Sequence, residues 1–155
     1  MTIQTIFTIL DLSCNNFDGP IHEEIGKLTL LYVLNLSHNA LTGQIPTSLE
    51  KLSNLESLDL SSNEYSGKIP VQLVNGLNFL FVFNLSFNQL VGQIPFIKQF
   101  GTFSKNSFRG NKGLYGLPLK SKCTYEEPPL SPPTYEESHL KSRIVIKWNY
   151  INTEL

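Results

Sequence analysis

His22, Glu23 and Glu24 stand side by side, the grouping in this chain with the clearest potential for acid–base work or for holding a metal ion. Catalysis would also need a nucleophile or a second set of groups brought alongside, and none is recognisable. The three residues read more simply as the start of a short helical turn, where carboxylates complement the helix dipole. Cys14 and Cys123 have neither CxxC nor Cys/His spacing, so no metal site is expected of them. No catalytic residue, metal or cofactor is expected, and the chain is read as a non-enzyme.

Two further spacings carry chemistry of another kind. Asn35-Leu-Ser37 and Asn84-Leu-Ser86 are Asn-x-Ser sequons, which makes Asn35 and Asn84 candidate glycosylation acceptors. They also arise by default wherever an Asn precedes the Leu-Ser pair that recurs through the chain. A net charge of −1 and the lack of a basic patch interleaved with aromatics exclude a nucleic-acid partner held through phosphates.

The elements that must position these residues form a repeat. Phe7, Leu10, Leu12 and Asn15 recur as Leu31, Leu34, Leu36 and Asn39, then Leu55, Leu58, Leu60 and Asn63, then Leu80, Phe83, Leu85 and Asn88. The intervals from Leu10 to Leu34 and Leu58 are 24 residues each, and Phe83 follows after 25. A period of this length signals a solenoid whose layers bury one another. Alternation predicts a short strand in each copy, with leucines inward and the intervening residues on an exposed face. That face is expected to carry Ile9, Asp11, Ser13, Val33, Asn35, Ser37, Ser57, Asp59, Ser61, Val82, Asn84 and Ser86. Asn15, Asn39, Asn63 and Asn88 are expected to form a ladder, each amide pairing backbone groups where the chain leaves its strand. Gly19, Gly43, Gly67 and Gly92 suit a conformation closed to other residues, and Pro46, Pro70 and Pro95 keep their segments from becoming helix. Short helical turns such as Thr47 to Leu52 then line the convex side. The extra residue of repeat three, in Leu73 to Leu77, is expected to fall on a loop there.

This frame, with its Gly-x-Ile-Pro element, closely resembles the plant-type leucine-rich repeat of extracellular receptor-like proteins and receptor-like kinases. The fold class is therefore an α/β leucine-rich-repeat solenoid of about four 24-residue repeats, with a parallel sheet on the concave face, an irregular C-terminal cap and a disordered tail. The segments are 1–103 for the repeats, 104–124 for the cap, 125–141 for an acidic Pro-rich linker and 142–155 for a juxtamembrane stub. The cap stretch Gly113-Leu-Tyr-Gly-Leu-Pro-Leu119 resembles that of plant receptor-like proteins, but Tyr115 stands where the family usually has a cysteine. The resemblance thus implies that Cys123 lacks its usual disulfide partner. Within the family the chain looks most like the Verticillium-wilt-resistance type.

The resemblance implies a protein or peptide ligand and a co-receptor kinase as partners, met on the concave face by Tyr32, Asn35, His38, Ser57, Asp59, Val82, Asn84 and Phe87. It implies the extracellular side of the plasma membrane for the parent receptor. This chain shows no basic and apolar leader at its start and no run of about 18 apolar residues, so membrane attachment is expected only of a full-length parent. Phe7, Leu10 and Leu12 begin the array uncovered, and pairing of chains through that N-terminal edge is a further expectation. A rival reading is a secreted inhibitor of fungal cell-wall hydrolases, of the polygalacturonase-inhibitor kind. The acidic linker and the Ile146-Lys-Trp-Asn-Tyr150 ending, which a free inhibitor does not need, weigh against it.

Overall fold

A computed structural model describes residues 8–119 and the backbone of a short strand, Ile146–Lys147. Four three-residue strands, Ile9–Asp11, Val33–Asn35, Ser57–Asp59 and Val82–Asn84, pair in parallel in sequence order. Leu10, Leu34, Leu58 and Phe83 lie side by side across this sheet. Leu34, Leu36, Leu58, Leu60 and Leu85 are fully buried, as the alternation requires. In the first layer Leu10 and Leu12 are only partly buried against the core, and Phe7 lies outside the described residues.

Alternation stops where each strand stops. Ser37, Ser61 and Ser86, expected on the exposed face, are instead buried. The side chain two residues earlier folds back over each of them: Asn35, Asp59 and Asn84 accept the serine N–H at 3.1, 2.9 and 3.0 Å. These are Asx turns, which bend the chain off the sheet and take the serine out of the pleated register.

A second parallel sheet, not anticipated from the sequence, runs beside the first. It contains Phe17–Pro20, Ala40–Gln44, Glu64–Gly67, Gln89–Gln93 and Gly113–Tyr115, with Ile146–Lys147 on its outer edge. Gly43 pairs with Tyr65 and Gly92 with Leu114. Both glycines have positive φ, +75° and +91°, where a side chain would be strained. On the convex side lie the 3₁₀ turns Glu23–Lys27 and Thr47–Lys51 and the α-helix Val71–Gly76. The extra residue of repeat three falls within this helix and not on a loop. Leu28 and Leu52 donate to the carbonyl three residues back, whereas Leu77 donates four residues back, to Leu73. The strand register beyond is unchanged, with Ser57 beside Val82.

The ladder is present and has one more rung than expected. Asn39 and Asn63 each donate to two carbonyls of their own repeat and one of the repeat before, and each accepts a backbone N–H from that repeat. Asn88 and Asn111 do the same. Asn111 makes the cap a partial fifth repeat, with Phe100, Phe103 and Phe108 in the places of Leu77, Leu80 and Leu85. Cys123, the linker at 125–141 and most of 142–155 lie outside the described residues.

One core position is mismatched. Tyr65 takes the place filled by Leu41 and Leu90 in neighbouring layers, is fully buried, and its hydroxyl meets no hydrogen-bond partner among the described residues. Burial pushes its phenol well above the usual value. Because an unsatisfied buried polar group costs about 1–3 kcal/mol, Tyr65→Phe is expected to raise stability by about 1 kcal/mol. A higher urea midpoint at unchanged slope is the readout, and a lower midpoint would show that the hydroxyl has a partner.

Candidate partner-binding face

The first sheet sets side chains in rows that run across the layers, about 4.8 Å apart. Its first row is Thr8, Tyr32, Glu56 and Phe81, tied by backbone bonds in which Tyr32, Glu56 and Phe81 each donate to the residue before it in the row, at 2.8–2.9 Å. Tyr32 is 45% exposed and Phe81 76%. The second row is Ile9, Val33, Ser57 and Val82, with Val82 exposed and Val33 and Ser57 half-buried. The third is Asp11, Asn35, Asp59 and Asn84, each locked by its Asx turn. Six of the eight residues expected on this face, Tyr32, Asn35, Ser57, Asp59, Val82 and Asn84, therefore share it.

His38 and Phe87 border it. With Cys14 and Ser62 they occupy one equivalent position per repeat, and all four have φ between 54° and 58°. Such values are uncommon for residues other than glycine, and here the sheet imposes them. The N–H of each bonds the layer that follows: Cys14 to Ser37, His38 to Ser61, Ser62 to Ser86 and Phe87 to Arg109, at 2.8–3.0 Å. The Arg109 guanidinium lies 5.2 Å from the Phe87 ring centre, so this aromatic is partly shared with the cap.

Phe81, Glu56 and Arg109 belong to this surface or its margin and were not singled out by the sequence; Phe79, in the turn before Leu80, is also 67% exposed. The available signal was positional, since Glu56 and Phe81 follow the buried Leu55 and Leu80 as Tyr32 follows Leu31.

Electrostatics on the face are mild. The Ser13 hydroxyl and N–H hold the Asp11 carboxyl below the usual carboxylate value, with Asn35 adding to this. Folded Asp11 thus binds its proton less readily than the unfolded residue does. The small stabilisation is present at neutral pH and is lost as pH falls through the carboxylate range. Asp11 is exposed, so solvent screens most of it.

The His22 cluster sits on the convex side. Glu24 pairs with Lys27 one turn on, and that ammonium lowers the Glu24 carboxyl below its usual value. Glu23 is exposed, and His22 precedes the turn without capping it through its side chain. Among the described residues no three His, Cys, Asp or Glu side chains are grouped to hold a metal ion, and no helix is long and apolar enough to cross a membrane.

Residues 7–65 match the leucine-rich-repeat family. No curated protein matches the sequence. Among solved structures the chain is similar to the BIR2 ectodomain from Arabidopsis thaliana, with 44% identity and a TM-score of 0.68 over 74% of this chain and 59% of that one. It is similar to a chain of the Arabidopsis thaliana BIR3–SERK2 complex, at 41% identity and TM-score 0.66, covering 71% and 57%. A third likeness is to the Arabidopsis receptor kinase HAESA in complex with the peptide hormone IDA and the co-receptor SERK1, at 44% identity and TM-score 0.59, covering 68% and 17%. The chain spans less than two thirds of each. With its registered strands and asparagine ladder, the chain is a leucine-rich-repeat solenoid, matching that family over residues 7–65 and similar in fold to the ectodomains of plant receptors.

Proposed function

We propose that the chain is a non-enzymatic protein-interaction module, the C-terminal ectodomain portion of a plant defence receptor-like protein of the Verticillium-wilt-resistance type. In this reading the concave face contacts a protein or peptide ligand or a co-receptor kinase. The parent receptor then lies on the extracellular side of the plasma membrane, with 104–124 as cap, 125–141 as linker and 142–155 leading to the membrane. The observation that supports it most is the row Tyr32, Glu56 and Phe81 beside Val82, an exposed aromatic surface on a rigid sheet. Exposed large aromatics are the residues that most often dominate binding energy at interfaces.

The test is titration of the full chain against the ectodomain of a SERK co-receptor by calorimetry. Saturable binding is expected, weakened roughly tenfold or more by Phe81→Ala, as for loss of an interface anchor worth about 1.4 kcal/mol or above. Binding indifferent to Phe81 and Tyr32 would place the contact elsewhere. Inhibition of a fungal polygalacturonase by the chain would favour the hydrolase-inhibitor reading instead. Asn35 and Asn84 remain candidate glycan acceptors, and a glycosidase-sensitive mobility shift of protein secreted behind a signal sequence is the check on them.

A further inference from the structure

Glu56 stands between two exposed aromatics. In the row Tyr32, Glu56 and Phe81 each side chain follows a buried leucine, and the two aromatics lie one layer to either side of the carboxylate. The backbone beneath is already fixed. The Tyr32 carbonyl accepts the N–H groups of Glu56 and Ser57 at 2.8 and 3.1 Å, and the Glu56 carbonyl accepts those of Phe81 and Val82 at 2.9 and 3.1 Å. Among the described residues the exposed Glu56 carboxylate has neither an ion pair nor a hydrogen bond. The charge around it has one sign. No lysine or arginine occurs in this row or in the four strands of the first sheet, whereas Asp59, on the same face and in the same layer as Glu56, adds a second carboxylate. The basic Lys105 and Arg109 belong to the cap, beyond the layer of Phe81.

We infer that this row is a receptor for one cationic side chain, an arginine or lysine presented by a protein or peptide partner, with Glu56 pairing its charge and the Tyr32 and Phe81 rings flanking it. A cation seated over Glu56 is one strand spacing, about 4.8 Å, from the position of each aromatic, and a ring attracts a cation within about 6 Å of its centre. Arginine suits the row best. Its planar fork can meet a carboxylate through two parallel bonds and lay its faces on aromatic rings, whereas lysine brings only the charge. The carboxylate also supplies the selectivity, because a neutral side chain docked between the rings would strip water from a charge and leave it unpaired. This inference rests on the concave face being an interface, and it adds what the partner must bring there.

A small arginine analogue tests the row without a protein partner. The isotope-labelled full chain is titrated with N-acetyl-arginine amide and followed by NMR, with N-acetyl-citrulline amide as the uncharged control of the same shape. Saturable shifts centred on the amides of Tyr32, Glu56 and Phe81 are expected with arginine and not with citrulline. Glu56→Gln, a change of charge at an exposed site, is expected to weaken arginine binding roughly tenfold or more, as for loss of a charge-assisted pair. Shifts that citrulline reproduces, that survive Glu56→Gln unchanged, or that never saturate at this row overturn the inference. The co-receptor titration separates it from the broader reading. Saturable SERK binding that Phe81→Ala weakens and Glu56→Gln does not would keep the face as an interface and overturn its cationic occupant. Arginine binding at the row without SERK binding would uphold the site and overturn that co-receptor as its partner.

Discussion

Asn63→Ala is expected to destabilise the fold by about 3–5 kcal/mol, a large share of the roughly 5–15 kcal/mol that holds an ordinary domain folded. The Asn63 amide is buried and makes four bonds: Oδ1 accepts the Leu41 N–H at 3.0 Å, and Nδ2 donates to Leu36, Ser61 and Leu60 carbonyls at 2.9–3.2 Å. Alanine strands at least one buried N–H and one buried carbonyl, at about 1–3 kcal/mol each, and leaves a void. The control is Asn15→Ala. Asn15 is exposed, and among the described residues its amide donates only to the Leu12 and Ser13 carbonyls of its own repeat, so water replaces the amide and the expected cost is below about 1 kcal/mol. Comparable urea midpoints for the two variants would show that the ladder contributes by local turn formation and not by joining layers. Asn63→Asp adds a pH signature. Its carboxylate would face the carbonyls that Nδ2 now serves, which raises its folded pKa above the unfolded one. The variant's deficit should therefore grow as pH rises through that folded pKa and shrink in acid.

The second large effect lies in the cap. Phe100→Ala should cost about 3–5 kcal/mol, the range for removing a buried phenylalanine. The Phe100 side chain is fully buried, with its ring centre 4.8 Å from Phe83 and 5.6 Å from Phe103. Phe83 also meets Phe103 at 5.1 Å and Phe108 at 5.9 Å, so four rings close the last layer. Phe100→Leu separates the bulk of this cluster from its identity. Leu77 and Leu52 fill the equivalent place in the repeats before it, so leucine there should cost only about 1 kcal/mol. A leucine variant as damaged as the alanine one would mean that the cap needs its rings and is not packed as a fifth repeat. Thermal or urea unfolding of the two proteins decides.

The strand frame, the glycine conformations and four ladder rungs were legible because each follows from short-range spacing with a direct physical cause. Leucine at every second residue demands one buried face, and an Asn three residues after the second leucine always meets the same turn. What stayed hidden depends on neighbours. Ser37, Ser61 and Ser86 were misplaced because two-residue alternation was carried past the end of a strand only three residues long. The second sheet is written in glycine-bearing segments such as Phe17–Pro20 and Glu64–Gly67, poor strand formers that pair because the first sheet already fixes their layer. Asn111 could have been found, since it follows Asn88 by 23 residues, close to the spacing of the other rungs. Phe81 was overlooked inside the run Leu80-Phe-Val-Phe83, which reads as core although only its two ends are buried. The convex insertion was located correctly and its conformation was not, because a helical turn accommodates one more residue by closing its hydrogen bond four residues back and not three.

That accommodation bears on how such a surface can change over generations. Repeat three gains a residue on its back and still places Val82 beside Ser57 on its front. Length variation and the proposed recognition surface thus lie on opposite sides of the molecule. An insertion or unequal crossover that lands on the back leaves the grid of front-facing side chains in place, and a replacement at Glu56 or Phe81 alters one cell of that grid without moving its neighbours. Diversification can then proceed cell by cell, and the fold does not have to be found again each time.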